Sequence, residues 1–137
     1  MTTPNRHRPL RGRALRRRDE RGLAAPELVV IMPLVMLIFL TLVQWSVQLY
    51  NDRIVHAAAR EAAVDAAAWE GTEADGRQTA NEYLQDSGSD LSNTDVDVSV
   101  GATEVTVTVS GDVMTLLPGF SKRVSATATV PRERFAE

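Results

Sequence analysis

The chain has 137 residues, 44% of them hydrophobic, with no cysteine and a formal net charge of −3, a length that suits one membrane helix plus one small domain. The absence of cysteine excludes thiol catalysis, thiolate metal sites, lipid attachment through cysteine and disulfide staples, so any small domain must be held by packing. The charge is divided unevenly: eight arginines against Asp19 and Glu20 give residues 1–22 a balance of +6, which leaves −9 for the remainder.

Residues 1–21 are short of apolar side chains and crowded with like charges, and are expected to be disordered. No aromatic residue is interleaved with these arginines and no folded reading element accompanies them, so nucleic acid is not an expected partner. Short arginine-rich flanks resist translocation, which orients the chain with residues 1–22 in the cytoplasm and the acidic part outside. The expected division is a basic leader at 1–22, a transmembrane helix at 23–50 and an extracytoplasmic domain at 51–137.

From Gly22 to Tyr50 the chain reads GLAAPELVVIMPLVMLIFLTLVQWSVQLY, and the only formal charge between Arg21 and Asp52 is Glu27. This meets the roughly 20 apolar residues that a bilayer-spanning helix needs. A secretory signal peptide cleaved near Ala57, Ala58 and Ala59 would have a shorter apolar core than this one. Glu27 lies one turn inside the span, where a lone carboxylate costs about 2.5 to 3.5 kcal/mol on insertion scales, so a pairing partner is expected. Pro33 removes a backbone hydrogen bond and crowds the preceding turn, and a local kink or unwinding is expected there. Trp45 and Tyr50 stand at the outer end as interfacial anchors.

The helix is expected to continue past the membrane to about Glu70, in all roughly 70 Å at 1.5 Å per residue. In residues 51–71, Val55, Ala58, Ala59, Ala62, Ala66 and Trp69 recur at steps of three and four and form one stripe. The stripe packs either under the chain's own sheet, the favoured reading, or against a helix of another subunit. Gly71 is read as the stop. Thr72 and Asp75 have the spacing of a capping box that opens a short second helix to about Gln85, with Glu73 and Arg77 placed for an i, i+4 pair.

Residues 86–95, DSGSDLSNTD, read as a solvated loop, and the spacing of Asp86, Asp90, Asp95 and Asp97 does not match a calcium-binding loop. Beyond it the pattern has period two. Val96, Val98 and Val100 share one face, as do Val105, Val107 and Val109, and a third strand from Val124 to Val130 aligns Val124, Ala126, Ala128 and Val130. In the connection from Gly111 to Arg123, the apolar residues Met114, Leu116, Leu117 and Phe120 are expected to help cover the sheet. The fold class is α+β: a long N-terminal transmembrane helix extending into a small domain with a short second helix and a roughly three-stranded antiparallel sheet. Three strands are marginal alone, and an edge strand is available for addition of a partner's strand.

The order of basic segment, Gly22, four residues, Glu27 and long apolar helix resembles the leader-cleavage site of type IV prepilins and pseudopilins. With Glu20, Arg21, Ala24, Ala25, Pro33 and the run from Ala57 to Ala63, AAAREAA, the chain resembles the TadE family, pseudopilin-like components of tight-adherence (Flp) pilus machinery. The similarity is strongest over residues 20–70 and architectural beyond. Pro26, Leu28 and Leu23 depart from the commonest pattern, and the length departs from that of the major Flp pilin. The resemblance implies a reduced pilin-like fold and cleavage by a prepilin peptidase between Gly22 and Leu23. It also implies pairing of Glu27 with the new α-amine of its own or a neighbouring subunit. The implied partners are the membrane, prepilin peptidase, other pilin or pseudopilin subunits and the assembly machinery, with possible incorporation in a surface pilus.

Two functional classes follow. One is a structural minor pilin or pseudopilin; the other is an uncleaved, single-pass signal-anchored protein whose outer domain binds another envelope component. Catalysis is not expected, because His7 and His56 are the only histidines and no nucleophile, carboxylate pair or phosphate loop joins them. No catalytic, metal-binding or cofactor-binding residue is assigned, and no cofactor is expected.

Overall fold

The computed structural model describes residues 21–116, 118–119 and 121–133, with side chains from Pro26 onward. It forms two compact units divided between Val35 and Met36. Helix α1 spans Arg21–Ala67, 47 residues, and passes through Pro26 and Pro33 in unbroken helical conformation. Helix α2 spans Glu73–Asp86. Strands β1 (Leu91–Val100), β2 (Glu104–Val113) and β3 (Lys122–Pro131) form an antiparallel sheet in the order β1-β2-β3. The α+β class and its elements are as the periodicities require.

In the first unit the apolar side chains from Leu28 to Val35 are all exposed. In the second, Met36 to Leu40 are exposed likewise, and only beyond them does α1 acquire a buried face. Ile54, Val55, Ala58, Ala59, Ala62, Ala63, Ala66 and Ala67 are buried in the chain's own core with Ala80 and Leu84 of α2 and the inner face of the sheet. Alanine's short side chain lets these surfaces approach closely while keeping high helix propensity. The stripe therefore packs within its own chain, as favoured above. Trp69 is the exception: at 59% exposed it leaves the stripe, because α1 ends at Ala67, before the turn that would have carried it inward.

The end of α1 differs from the expected stop. Glu70, not a glycine, takes the left-handed conformation (φ 67°). Gly71 is required for a different reason: a Cβ there would lie 2.6 Å from the carbonyl oxygens of both Asp65 and Ala66. The Glu133 amide donates to the Ala67 carbonyl at 3.1 Å, satisfying one of the free acceptors at the helix end. The capping box of α2 is present, with the Thr72 amide donating to Asp75 Oδ2 at 2.9 Å and the Asp75 amide donating to Thr72 Oγ1 at 3.2 Å. The Thr72 hydroxyl, which donates to Asp75 Oδ2 at 2.6 Å, and after it the Thr72 amide hold the Asp75 carboxyl below its ordinary pKa. Among the described residues Glu73 and Arg77 form no ion pair; the i, i+4 contact on α2 is Gln78 Nε2 to Glu82 Oε1, 2.7 Å.

The strands are longer than the valine pattern implies. β1 begins at Leu91, five residues before Val96, so half of the expected loop is strand. Its register shifts between Ser92 and Asp95, where two residues oppose the single Gly111 and Asn93 adopts φ 48°. This is a β-bulge, and it breaks the alternation on which the boundary was placed. Val105, Val107 and Val109 are fully buried, and Val98, Val124 and Ala126 nearly so, so the predicted inner face holds. On the outer face Thr106 bonds Thr129 and Thr108 bonds Thr127 across the strands, at 3.2 and 2.9 Å. Met114 and Leu116 do not cover the sheet: both are exposed, because Gln44 of α1 binds their backbone and holds the connection beside the helix. Leu117, Phe120 and residues 1–20 lie outside the described residues.

Candidate functional site

The residues singled out for processing and assembly, Gly22, Leu23, Glu27 and Pro33, all lie on α1 in the first unit. Leu23 and Glu27 are four residues apart, about one turn of the helix. Glu27 is exposed, and none of the described residues pairs with it. Around and beyond it the helix is apolar on every side and exposed on every side, with Val29 and Val30 each more than two-thirds accessible. A helix hydrophobic all round belongs in a core or a bilayer, and among the described residues its apolar side chains from Leu28 to Val35 are all exposed. Among the described residues, α1 is the one helix long and apolar enough to cross a membrane.

Two hydroxyls that enter the apolar run are satisfied on the helix itself. Thr41 Oγ1 donates to the Leu37 carbonyl at 2.7 Å and Ser46 Oγ to the Leu42 carbonyl at 3.0 Å. Such back-bonding hides a hydroxyl from an apolar solvent. Asn51 Nδ2 donates to the Val47 carbonyl at 2.9 Å, while its Oδ1 is buried without a partner. Gln44 uses both ends of its amide on the β2–β3 connection, and the Tyr50 hydroxyl donates to the Ser87 carbonyl at 3.0 Å. Sequence reasoning assigned no role to Gln44 or Asn51 and treated Tyr50 only as an anchor. A glutamine interrupting an apolar run was the available signal.

His56 lies 3.9 Å from Asp52, both substantially exposed, beside an open groove lined by Arg60, Glu61, Tyr83 and Thr129. Among the described residues no group of three or more histidine or carboxylate side chains is placed to hold a metal ion.

In comparison with known families, residues 22–64 match the family of TadE-like proteins. This segment resembles that family. The match begins at the Gly22–Leu23 junction, takes in Glu27, Pro33 and the whole exposed apolar run, and ends within the alanine stripe at Val64. The TadE-like family is pilus-associated and structural in character, and the anchoring helix seen here accords with membrane attachment. No curated protein and no solved structure matches the chain.

Proposed function

We propose that the chain is a TadE-like minor pilin or pseudopilin, a structural or assembly component of a Tad (Flp) type IV pilus machine without catalytic activity. The observation that carries this reading is the coincidence of the TadE-like match at 22–64 with a helix whose sole charge inside an exposed apolar run is Glu27. In this reading residues 1–22 are a basic leader removed by prepilin peptidase between Gly22 and Leu23. Residues 23–50 span the membrane, with Pro33 as a kink, and residues 51–137 form the outer domain. The arginines keep the N-terminus cytoplasmic.

Cleavage creates a positive α-amine on Leu23, one turn from Glu27. In low dielectric an amine–carboxylate pair, within the subunit or with a neighbour, offsets the desolvation that a lone carboxylate suffers. Other pilin subunits and the assembly machinery are the corresponding partners. The test is intact mass and N-terminal sequencing of membrane-extracted protein expressed with and without prepilin peptidase. A peptidase-dependent start at Leu23 is expected; an intact leader in both cases refutes the pathway and assigns the chain to uncleaved signal anchors. Glu27→Ala is expected to leave membrane insertion intact and impair incorporation, and normal incorporation would refute the pairing role.

A further inference from the structure

The connection between β2 and β3 carries exposed apolar side chains, Met114 at 63% and Leu116 at 51%. It is attached to α1 at one point. Gln44 Nε2 donates to the Met114 carbonyl at 3.3 Å, and Gln44 Oε1 accepts from the Leu116 amide at 2.7 Å. A glutamine amide and two backbone groups of a non-helical segment are thereby mutually satisfied, which lowers the cost of holding that backbone at the hydrocarbon boundary. Next to them Trp45 is 63% exposed, and a shallow apolar groove runs between Thr41, Trp45 and Gln48 of α1, Thr115 of the connection and Lys122 at the start of β3.

Depth follows from the helix itself. Asp52 is the first formal charge beyond the apolar run, and Gln44 precedes it by eight residues, about 12 Å along the axis. The polar headgroup layer of one leaflet is roughly 5 to 7 Å thick. With Asp52 at the outer edge of the headgroup layer, Gln44 lies at or below the hydrocarbon boundary, and the segment bonded to it lies at the same level. Lys122 follows, with a stem long enough to bring its ammonium to the headgroups.

We infer that the β2–β3 connection is a second membrane contact, with Met114 and Leu116 inserted among phospholipid acyl chains of the outer leaflet beside α1. Its surface is continuous with the lipid-facing side chains of Met36 to Leu42. The contact fixes the small domain against the bilayer at two points, the helix and this loop, and Gln44 is the positioning residue that joins them. The inference rests on α1 crossing the membrane and is independent of leader cleavage or pilus incorporation.

Because the chain lacks cysteine, single nitroxide labels can be placed at will. The full chain would carry Met114→Cys or Leu116→Cys, with Phe39→Cys as the reference within the span and Ser125→Cys as the aqueous reference on the outer sheet face. It would be reconstituted in vesicles of phosphatidylcholine and phosphatidylglycerol. Power-saturation electron paramagnetic resonance then compares collision with oxygen and with a water-soluble nickel chelate. Nickel accessibility at 114 and 116 is expected severalfold below that at 125, with oxygen accessibility approaching that at 39, and Gln44→Leu is expected to raise nickel accessibility at 116. Nickel accessibility at 114 and 116 equal to that at 125, while 39 remains protected, overturns the inference. Exposure at 39 as well would instead overturn the membrane span. Protection that disappears as the protein is diluted in lipid identifies a neighbouring subunit as the occupant and also overturns it.

Discussion

Gly76→Ala tests whether α2 is closely docked on the alanine stripe of α1. On helix propensity alone the change should stabilise α2 by about 1 kcal/mol, since glycine is the poorer helix former. The structure opposes that gain. A Cβ at position 76 would stand 3.0 Å from Ala66 Cβ, 3.2 Å from the Ala62 carbonyl oxygen and 3.3 Å from Val98 Cγ1. The first two belong to a rigid helix and cannot turn aside, and overpacking of this kind costs about 1 to 3 kcal/mol. The net expectation is destabilisation by about 1 kcal/mol, which raises the open population about fivefold. Hydrogen–deuterium exchange of the full chain in lipid nanodiscs reads this as faster exchange of the β2 amides of Val105, Val107 and Val109. Ala66→Gly removes the closest contact, so the two substitutions together should cost less than the sum of each alone, by up to about 1 kcal/mol of coupling. Slower exchange in Gly76→Ala would refute the reasoning. It would mean that α2 stands off the stripe, leaving Ala62 and Ala66 open to another subunit's helix.

Three further expectations concern the small domain. Val107→Ala removes two methyl groups from a fully buried position and should cost about 2 kcal/mol, measured by the same exchange of the sheet amides. Tyr50→Phe removes the donor to the Ser87 carbonyl and should cost at most about 1 kcal/mol, with faster exchange confined to the end of α2 and the turn after it. Asp75 has a folded pKa below its ordinary value, so its contribution is present above the ordinary carboxylate range and is lost as pH falls through the folded value. The amides of the first turn of α2 should lose protection on acidification in the wild type and much less so in Asp75→Asn; equal acid sensitivity in both would show that the capping box is not responsible.

Most of this architecture was legible where a single periodicity ran without interruption. Val105, Val107 and Val109 alternate with Thr106 and Thr108 and are buried as the alternation requires. The 3.6-residue recurrence of Val55, Ala58, Ala59, Ala62 and Ala66 likewise named the buried face of α1. Boundaries were lost where one residue broke a pattern locally. Asn93 at φ 48° creates a bulge that hid the first half of β1. Opposite it, Gly111 reads as a strand end, although a Cβ there would lie 3.3 Å from both Leu91 Cβ and Thr94 Cγ2, so the glycine makes room for the bulge inside the strand. The residues that join helix to loop, Gln44 and Tyr50, were illegible because their partners lie 70 and 37 residues away and are backbone carbonyls. No side-chain pattern marks such a partner. The candidate residues Gly22, Glu27 and Pro33 were picked out for the opposite reason: each departs from an otherwise uniform run.

The packing of α1 limits which surfaces of the chain are open to a neighbour. The small-residue stripe, which from sequence alone could have served another helix, is spent on the chain's own sheet and α2. What remains exposed is of two kinds. One is the apolar surface from Leu28 to Leu42, which in lipid gains nothing from hydrophobicity and associates only through shape or a buried polar contact. Glu27 supplies the one charged group for such a contact. The other is the outer sheet face, where threonine hydroxyls are already paired across strands and so offer a neighbour little unsatisfied hydrogen bonding. In the proposed reading such a subunit is recognised within the membrane, at Glu27. Substitutions on the outer sheet face are accordingly expected to perturb assembly less than substitution of Glu27.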